Sequence, residues 1–537
     1  MNLQLVQDQP VIKARQFIPL LQEICRHPPP VHPLPGLKYK RILIPNLVGG
    51  ELAFSLMGFL GLALRQRGAE VTALSCDSLL PACVHRKIDH VESACTRWCH
   101  KNAGPFADAM GLPHRWYSEF ITAAERRECD RIARDIKLDD IPTFSWRGVS
   151  VGHLITQSVG SAFKVGFCAL ESDEMVEKAY AFVRAAMYLI IITGRALDEL
   201  RIDKVFTDNG VQVDWGVIRA VAGSKGVPVD VVQTAPRPNT VQFEHDRPGQ
   251  PTARMPQWSQ WRSSPLTEEQ ERALDRYLAE REIAPYLLQG VDWRDRCTDP
   301  ETARRLIGLG PKIDGKVFVM FPNVGYDEDT TKDQAILSGR QWILRTIDVL
   351  KRYPRHILIV KAHPAEAHLQ ARDPVAALVA GLGEARPPNV LVVPPESTIT
   401  AQCALRLADI AIVYTSTVTA EAAGLGKPII LVGGGFHSGR GMTEEPRSPE
   451  AYTALLDDIC AGKTTIRAPR DLGRRYAYSF FLRSCIPLRH FHHFGHEITH
   501  LYLRSLDDLR PGRDPTVDTI CRGILLDEPI VNPEYNS

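Results

Sequence analysis

The chain has almost no net charge: 64 lysines and arginines stand against 63 aspartates and glutamates in 537 residues, a formal +1. That balance offers no general attraction for a polyanion, so nucleic acid is not expected as a partner. A long apolar run is also missing. The longest, MYLIIITG at 187–194, falls far short of the roughly 20 residues that cross a bilayer. The opening MNLQLVQDQPVIKAR lacks the apolar segment of a secretory signal. Paired C-x2-C knuckles are absent, and most of the twelve cysteines are isolated, which suits buried thiols in a reducing compartment better than a disulfide framework. These absences lead us to expect a cytoplasmic protein.

The length exceeds what one hydrophobic core usually serves, so at least two domains are expected. Residues 1–37 end in HPPPVHPLPG, a proline density that opposes regular structure and reads as an N-terminal linker. From 38 to 308 the pattern is that of a first α/β domain. YKRILIPNLVGGELAFSLMGFLGLALRQRGAEVTALSCD (39–77) reads as strand, glycine turn, amphipathic helix and strand. Its Gly49 and Gly50 would let the backbone approach a ligand at the helix start. A helical pattern over 173–200 leads into DKVFTDNG, a helix and VPVDVVQT, again β, α, β. Residues 235–265, rich in Pro, Arg and Gln, read as a loop or linker, and 266–308 as helical. A second domain, 309–470, alternates the apolar strands GKVFVMFPNVG, HILIVKAHP, NVLVVPP and DIAIVYTS with helices. Residues 471–537 then read as a helical segment crossing between domains, with a tail. The fold class expected is α/β, two Rossmann-like doubly wound domains facing a cleft, with ligands beyond the carboxyl ends of the strands.

Chemistry gathers at those ends. In VYTSTVTAEAAGLGKPIIL (413–431), a strand ends in hydroxyls just before a small-residue helix. Ser416, Thr417 and free N–H groups at the helix start would together suit a phosphate. A plain N-cap is the other reading of these hydroxyls. KAHP closes another apolar strand, so Lys361 and His363 could converge on the same anion. Glu421, one turn into the helix, is placed to accept from ribose hydroxyls. Deprotonating an acceptor calls for a carboxylate at a strand end of the first domain, and Asp208 is the candidate, with Asp214 behind it. Asp-Asn-Gly is equally an ordinary turn. Cys76, Cys83, Cys95 and Cys99, spaced C-x6-C-x11-C-x3-C, either bring four thiolates to a structural zinc or mark a compact Cys-rich insertion. HEITH at 496–500 has zincin spacing, but no histidine follows His500 to serve as third ligand. It reads as chance, or as a structural helix with histidines on its polar face.

Taken in order, NVGYDED (323–329), QWILRTIDVL (341–350), KAHPAE (361–366), ESTITAQCALRLADIAIVYTSTVTAEAAGLGKPIILVGG (396–434), GRGMT (439–443), SPEAY (448–452) and RRYAYSFF (474–481) resemble the capsule polysaccharide biosynthesis family. The resemblance covers most of 315–485 and extends more weakly into the N-terminal half. It implies a GT-B-fold glycosyltransferase related to Kdo transferases, with the donor's phosphate held by His363, Ser416 and Thr417. It further implies a nucleotide-sugar donor, CMP-linked, a glycan or lipid-linked glycan acceptor, and no cofactor required for catalysis. Peripheral membrane association would come through an assembly complex. Two alternatives stand beside this: a polyol-phosphate transferase using a CDP-linked donor, and a non-catalytic nucleotide- or glycan-binding subunit of such a complex.

Overall fold

The structure is a computed structural model, and it describes residues 14–27, 31–45, 51–84, 101–166, 172–208, 210–248, 254–283, 296–310, 313–326, 336–494 and 497–535. It divides into two compact units: unit 1 is Met1–Ala162, Leu170–Pro256 and Arg483–Ser537, and unit 2 is Phe163–Ala169 and Gln257–Leu482. This corrects the expected boundaries. Residues 257–308 belong with the second unit, not the first, and the carboxyl-terminal segment joins unit 1 from residue 483.

In unit 1, β1 (Arg41–Pro45), β2 (Glu70–Ser75), β3 (His114–Trp116), β4 (Lys204–Asp208), β5 (Val229–Thr234) and β6 (Thr240–Asp246) form one sheet with the short strand Ile486–Pro487. Across the sheet the order is 486–487, β6, β5, β4, β1, β2, β3. The five strands from β5 to β3 are parallel, while β6 and 486–487 run antiparallel to their neighbours. The winding therefore reverses between β1 and β4, where such sheets open a ligand crevice. Helices α1 (Glu51–Gln66), α2 (Asp173–Glu199) and α3 (Val213–Ser224) make the crossovers. The N-cap Ser172 starts α2 by accepting from the Met175 N–H at 3.2 Å.

Two expected linkers contain regular structure. Residues 14–24 of the N-terminal segment are helical, and Leu21 is fully buried in the unit 1 core. The Pro-rich 235–265 contains β6, whose alternation is disguised because its buried Glu244 is neutralised by Arg254, with a bond of 3.0 Å from Nε. HEITH also departs from its helical reading. Residues Glu497–Leu501 form a strand paired with Phe491–Phe494. His496 lies outside the described residues.

The amino ends of β4 and β5 carry a buried charge network. Lys204 Nζ donates to Asp230 at 2.9 Å, to Asp527 at 2.8 Å and to the Ile524 carbonyl at 2.7 Å. Asp527, beyond the helix Pro515–Leu526, also accepts from Tyr39 at 2.6 Å and pairs with Arg247 at 2.7 Å and with Lys38. Burial opposes ionisation of Asp527, but its bonds from Lys204, Lys38 and Tyr39 hold the carboxyl far below its ordinary range. Because that pKa is depressed, the stabilisation is present above the unfolded value of roughly 4 and is lost as pH falls below it. We expect Asp527→Asn to cost about 1.5–3 kcal/mol at neutral pH, read as a lower urea midpoint, with the gap to wild type closing in acid. An unchanged midpoint at pH 7 would contradict this role.

In unit 2, β7 (Val317–Phe321), β8 (Ile357–Lys361), β9 (Val390–Val393), β10 (Ile410–Val413) and β11 (Ile429–Leu431) lie in the order β9, β8, β7, β10, β11. All neighbours are parallel. Buried by layers on both faces, these strands read as continuous apolar runs such as VFVMF and IAIV. Helix α4 (Glu268–Ile283) precedes β7, and α5 (Gly339–Lys351) links β7 to β8 through a Ser338–Gln341 capping box. Helix α6 (Val418–Gly424) links β10 to β11, with Gly426 at φ +69 in the turn that ends it. This winding reverses between β7 and β10.

Candidate functional site

The residues expected at a phosphate lie along the carboxyl edge of unit 2. In register, Val360 pairs with Met320 and Val413 with Phe321, which brings Lys361 and Val413 level on the two strands flanking β7. Strands at that separation are about 10 Å apart. His363 and Thr415 extend two residues past that level. Asn323, just past β7, bridges the reversal point by donating from Nδ2 to Thr415 Oγ1 at 2.7 Å.

Lys361 is only 4 % exposed. No carboxylate bonds its ammonium among the described residues, and its recorded hydrogen bond is a long one, 3.3 Å, to the Ala362 carbonyl. Burial, then the like charge of Arg296, lowers its pKa to about 8, while Glu366 partly offsets both. Burial and the Lys361 charge bring His363 down to about 4, so its ring is neutral at physiological pH. Its Nδ1 accepts from the Ala365 N–H at 3.1 Å, which leaves the ring proton on Nε2 as a donor. A neutral His363 can therefore donate through Nε2, and Lys361 carries a positive charge below about pH 8.

The hydroxyls act differently from the expectation. Ser416 Oγ accepts from the Val418 N–H at 3.3 Å, and the Thr419 and Ala420 N–H groups bond the carbonyls of Ser416 and Thr417. Those N–H groups are engaged, and α6 has only seven residues, so its start offers less to an anion than expected. Each hydroxyl retains a proton to donate. Thr417 occupies the N-cap position without a side-chain cap bond, so the plain-cap reading fails for Thr417. Glu421 is corrected. Its Oε1 accepts from Arg281 Nε at 2.8 Å in a buried pair between α4 and α6, which gives the carboxylate a structural partner in place of a ribose. Burial opposes the Arg281 charge, but Glu421 and Tyr277 hold its pKa above normal.

Sequence reasoning missed Arg296 and Asn323. Arg296 Nη1 donates to the Ser397 carbonyl at 2.8 Å, and the Cys297 N–H bonds the Thr398 carbonyl at 2.9 Å. These bonds pin residues 296–297 just past β9, next to Lys361's strand. Nothing local in DRCTDP signals this placement, since the partners lie about a hundred residues away in sequence. Asn323 was within reach, because it ends the first strand of a doubly wound domain.

In unit 1, Asp208 is the last residue of β4, beside the reversal point, and is partly exposed. Burial of its carboxyl raises the pKa to about 7, only partly offset by its own backbone N–H and by the Trp215 side chain. A carboxyl poised there can take a proton at neutral pH. Asp214 is buried and instead accepts from the Val84 N–H at 3.0 Å. Gly49, Gly50, Cys95 and Cys99 lie outside the described residues. Cys76 and Cys83 are both partly exposed, and burial of its thiol pushes Cys76 up to about 12. Among the described residues no three metal-ligating side chains gather, and no helix is long and apolar enough to cross a membrane.

No known protein-family model matches the chain, and no curated protein does. Solved structures share distant likeness. The β-Kdo 2,4-transferase of Thermosulfurimonas dismutans KpsC is 13 % identical over 52 % of this chain and 80 % of its own, with a TM-score of 0.32. The β-Kdo 2,7-transferase of the same KpsC is 14 % identical over 64 % and 91 %, at 0.27. Acinetobacter baumannii MurG is 11 % identical over 91 % and 100 %, at 0.26. At these scores the likeness assigns neither a family nor a function.

Proposed function

We propose that the chain is a glycosyltransferase that binds the phosphate of a nucleotide-activated sugar at the carboxyl edge of unit 2 and passes the sugar to a glycan acceptor. The observation that carries this is Lys361, a buried ammonium with no carboxylate bonded to it among the described residues, followed two residues on by a neutral His363 donor, with Ser416 and Thr417 past the end of β10, two strands over at the same sheet edge. A buried charge is stable only when paired, and an anionic ligand would pair it. A leaving nucleotide phosphate develops negative charge in the transfer, and these donors would stabilise it. Asp208 is assigned the role of base toward the acceptor hydroxyl. The finer reading is a CMP-linked donor serving surface polysaccharide. Arg296 favours a second: two cations near one strand end also suit a diphosphate, hence a CDP-linked polyol donor.

A thermal-shift screen over CMP, CDP, UDP and GDP ranks the nucleotides, because a ligand binding only the native state raises its melting temperature. Calorimetric titration with the best of them tests the residues. His363→Ala should lose about 1.5–3 kcal/mol of affinity with the fold intact. Ser416→Ala should lose less, since it removes one neutral hydroxyl while Lys361 and His363 remain. Unchanged affinity in both variants, or no binding by any nucleotide, sinks the donor site. No sugar transfer by a protein that binds nucleotide would leave a binding subunit.

A further inference from the structure

A second group of buried polar atoms lies in unit 1, at the carboxyl ends of β2 and β3. Ser75 pairs with Trp116 at the ends of those strands, so Tyr117 emerges directly beside β2's exit. Both Ser75 and Tyr117 are 0 % exposed. Ser75 Oγ, Tyr117 Oη, Asp77 Oδ1 and Ser78 Oγ are all shut off from solvent, and none has a hydrogen-bond partner among the described residues. Burial, then the neighbouring Cys76, Asp214 and Asp77, raise the Tyr117 pKa well above normal, so the phenol keeps its proton as a donor. The loop carrying these groups is fixed in place. Asp214 holds its far end through the Val84 N–H, and Ser78 sits at φ +68, a left-handed backbone that disfavours a residue with a Cβ.

Leaving several buried polar atoms unbonded is costly, since each has given up its water without a replacement. Such a cost is tolerated where function uses it. The mixture of groups defines what would satisfy them. An anion would face the Asp77 and Asp214 carboxylates, and a cation would leave the phenol proton without an acceptor. A hydroxyl both donates and accepts, so neighbouring hydroxyls on one molecule match carboxylate, phenol and serine together. We propose that Ser75, Asp77, Ser78 and Tyr117 form a binding site for an uncharged polyhydroxylated group, a neutral sugar or polyol unit. Identifying that unit as part of the acceptor rests on the transferase reading; the site itself does not.

The test uses the full chain with three probes: methyl α-glucopyranoside, the matching glucuronide and glucosamine, followed by saturation-transfer NMR. The neutral glycoside should bind saturably and more tightly than either charged sugar. Tyr117→Phe should weaken it about five- to tenfold, the worth of one hydrogen bond, without lowering the melting temperature of the ligand-free protein. Ser75→Ala should act in the same direction. If Tyr117→Phe lowers the melting temperature and leaves sugar binding unchanged, the hydroxyl serves an internal water only and the proposal is overturned. Equal or tighter binding of a charged sugar, or no saturable binding of the neutral one, overturns it as well. Nucleotide titration of the same sample separates the two readings: sugar binding without nucleotide binding would sink the transferase and leave this site standing.

Discussion

Replacing Lys361 with methionine should cost about 2–5 kcal/mol of nucleotide affinity, the range for truncating one partner of a buried charge pair, while stabilising the ligand-free protein. Methionine fills a similar volume without a charge, so the desolvation that lowers the lysine pKa to about 8 disappears. A lysine with a depressed native pKa contributes least to stability at low pH, where the folded state must hold the buried charge. The stabilisation by Lys361→Met should therefore be largest below pH 8 and shrink toward the unfolded value of roughly 10.4. Wild-type nucleotide affinity should fall as pH rises through about 8, because the ammonium loses its proton. Calorimetry and thermal melts across pH 6–10 read all three quantities. A variant that binds nucleotide like wild type would show that this ammonium serves no anion.

Asp208→Asn should reduce sugar transfer about 10²- to 10⁴-fold, the usual contribution of a general base, and leave nucleotide affinity unchanged because the residue belongs to unit 1. Wild-type turnover should rise with pH through about 7, where the carboxyl ionises. The stability effect has its own sign. A carboxyl whose native pKa is raised stabilises the fold below its unfolded value of roughly 4, and that contribution is lost as pH rises through about 7. Asp208→Asn cannot ionise, so its stability relative to wild type should be higher at pH 8 than at pH 5. Full activity in the variant, or a flat pH profile, would remove Asp208 from the chemistry.

What the sequence makes legible follows from how far apart the determinants lie. The strands of unit 2 are visible because burial on both faces writes them as unbroken apolar runs, and the hydroxyls and KAHP are visible because they close two of those runs. The pairing of Glu421 with Arg281 is not legible, since 140 residues separate the partners and either could equally face solvent or ligand. The same holds for Arg296 beside Lys361. β6 was hidden because its acidic residues look like a polar loop until Arg254 and Arg219 are placed against them. HEITH misled in the opposite direction: spacing suggests a helix, but strand pairing with 491–494 decided the conformation, as context does for short segments.

Unit 1 cannot close on its own residues in order of synthesis. Ile486–Pro487 completes the edge of its sheet against β6, the helix Pro515–Leu526 packs into its core, and Asp527 neutralises Lys204. All of these leave the ribosome after the whole of unit 2. The amino-terminal half must therefore wait, with an unpaired strand edge and a lysine lacking one counter-charge, while the long stretch 257–482 can already fold behind it. A chain ending at residue 482 and held on the ribosome by an added linker long enough to clear the exit tunnel would carry a protease-resistant second unit and a protease-sensitive first one. Truncations at the carboxyl terminus would register first as unfolding of the amino-terminal unit.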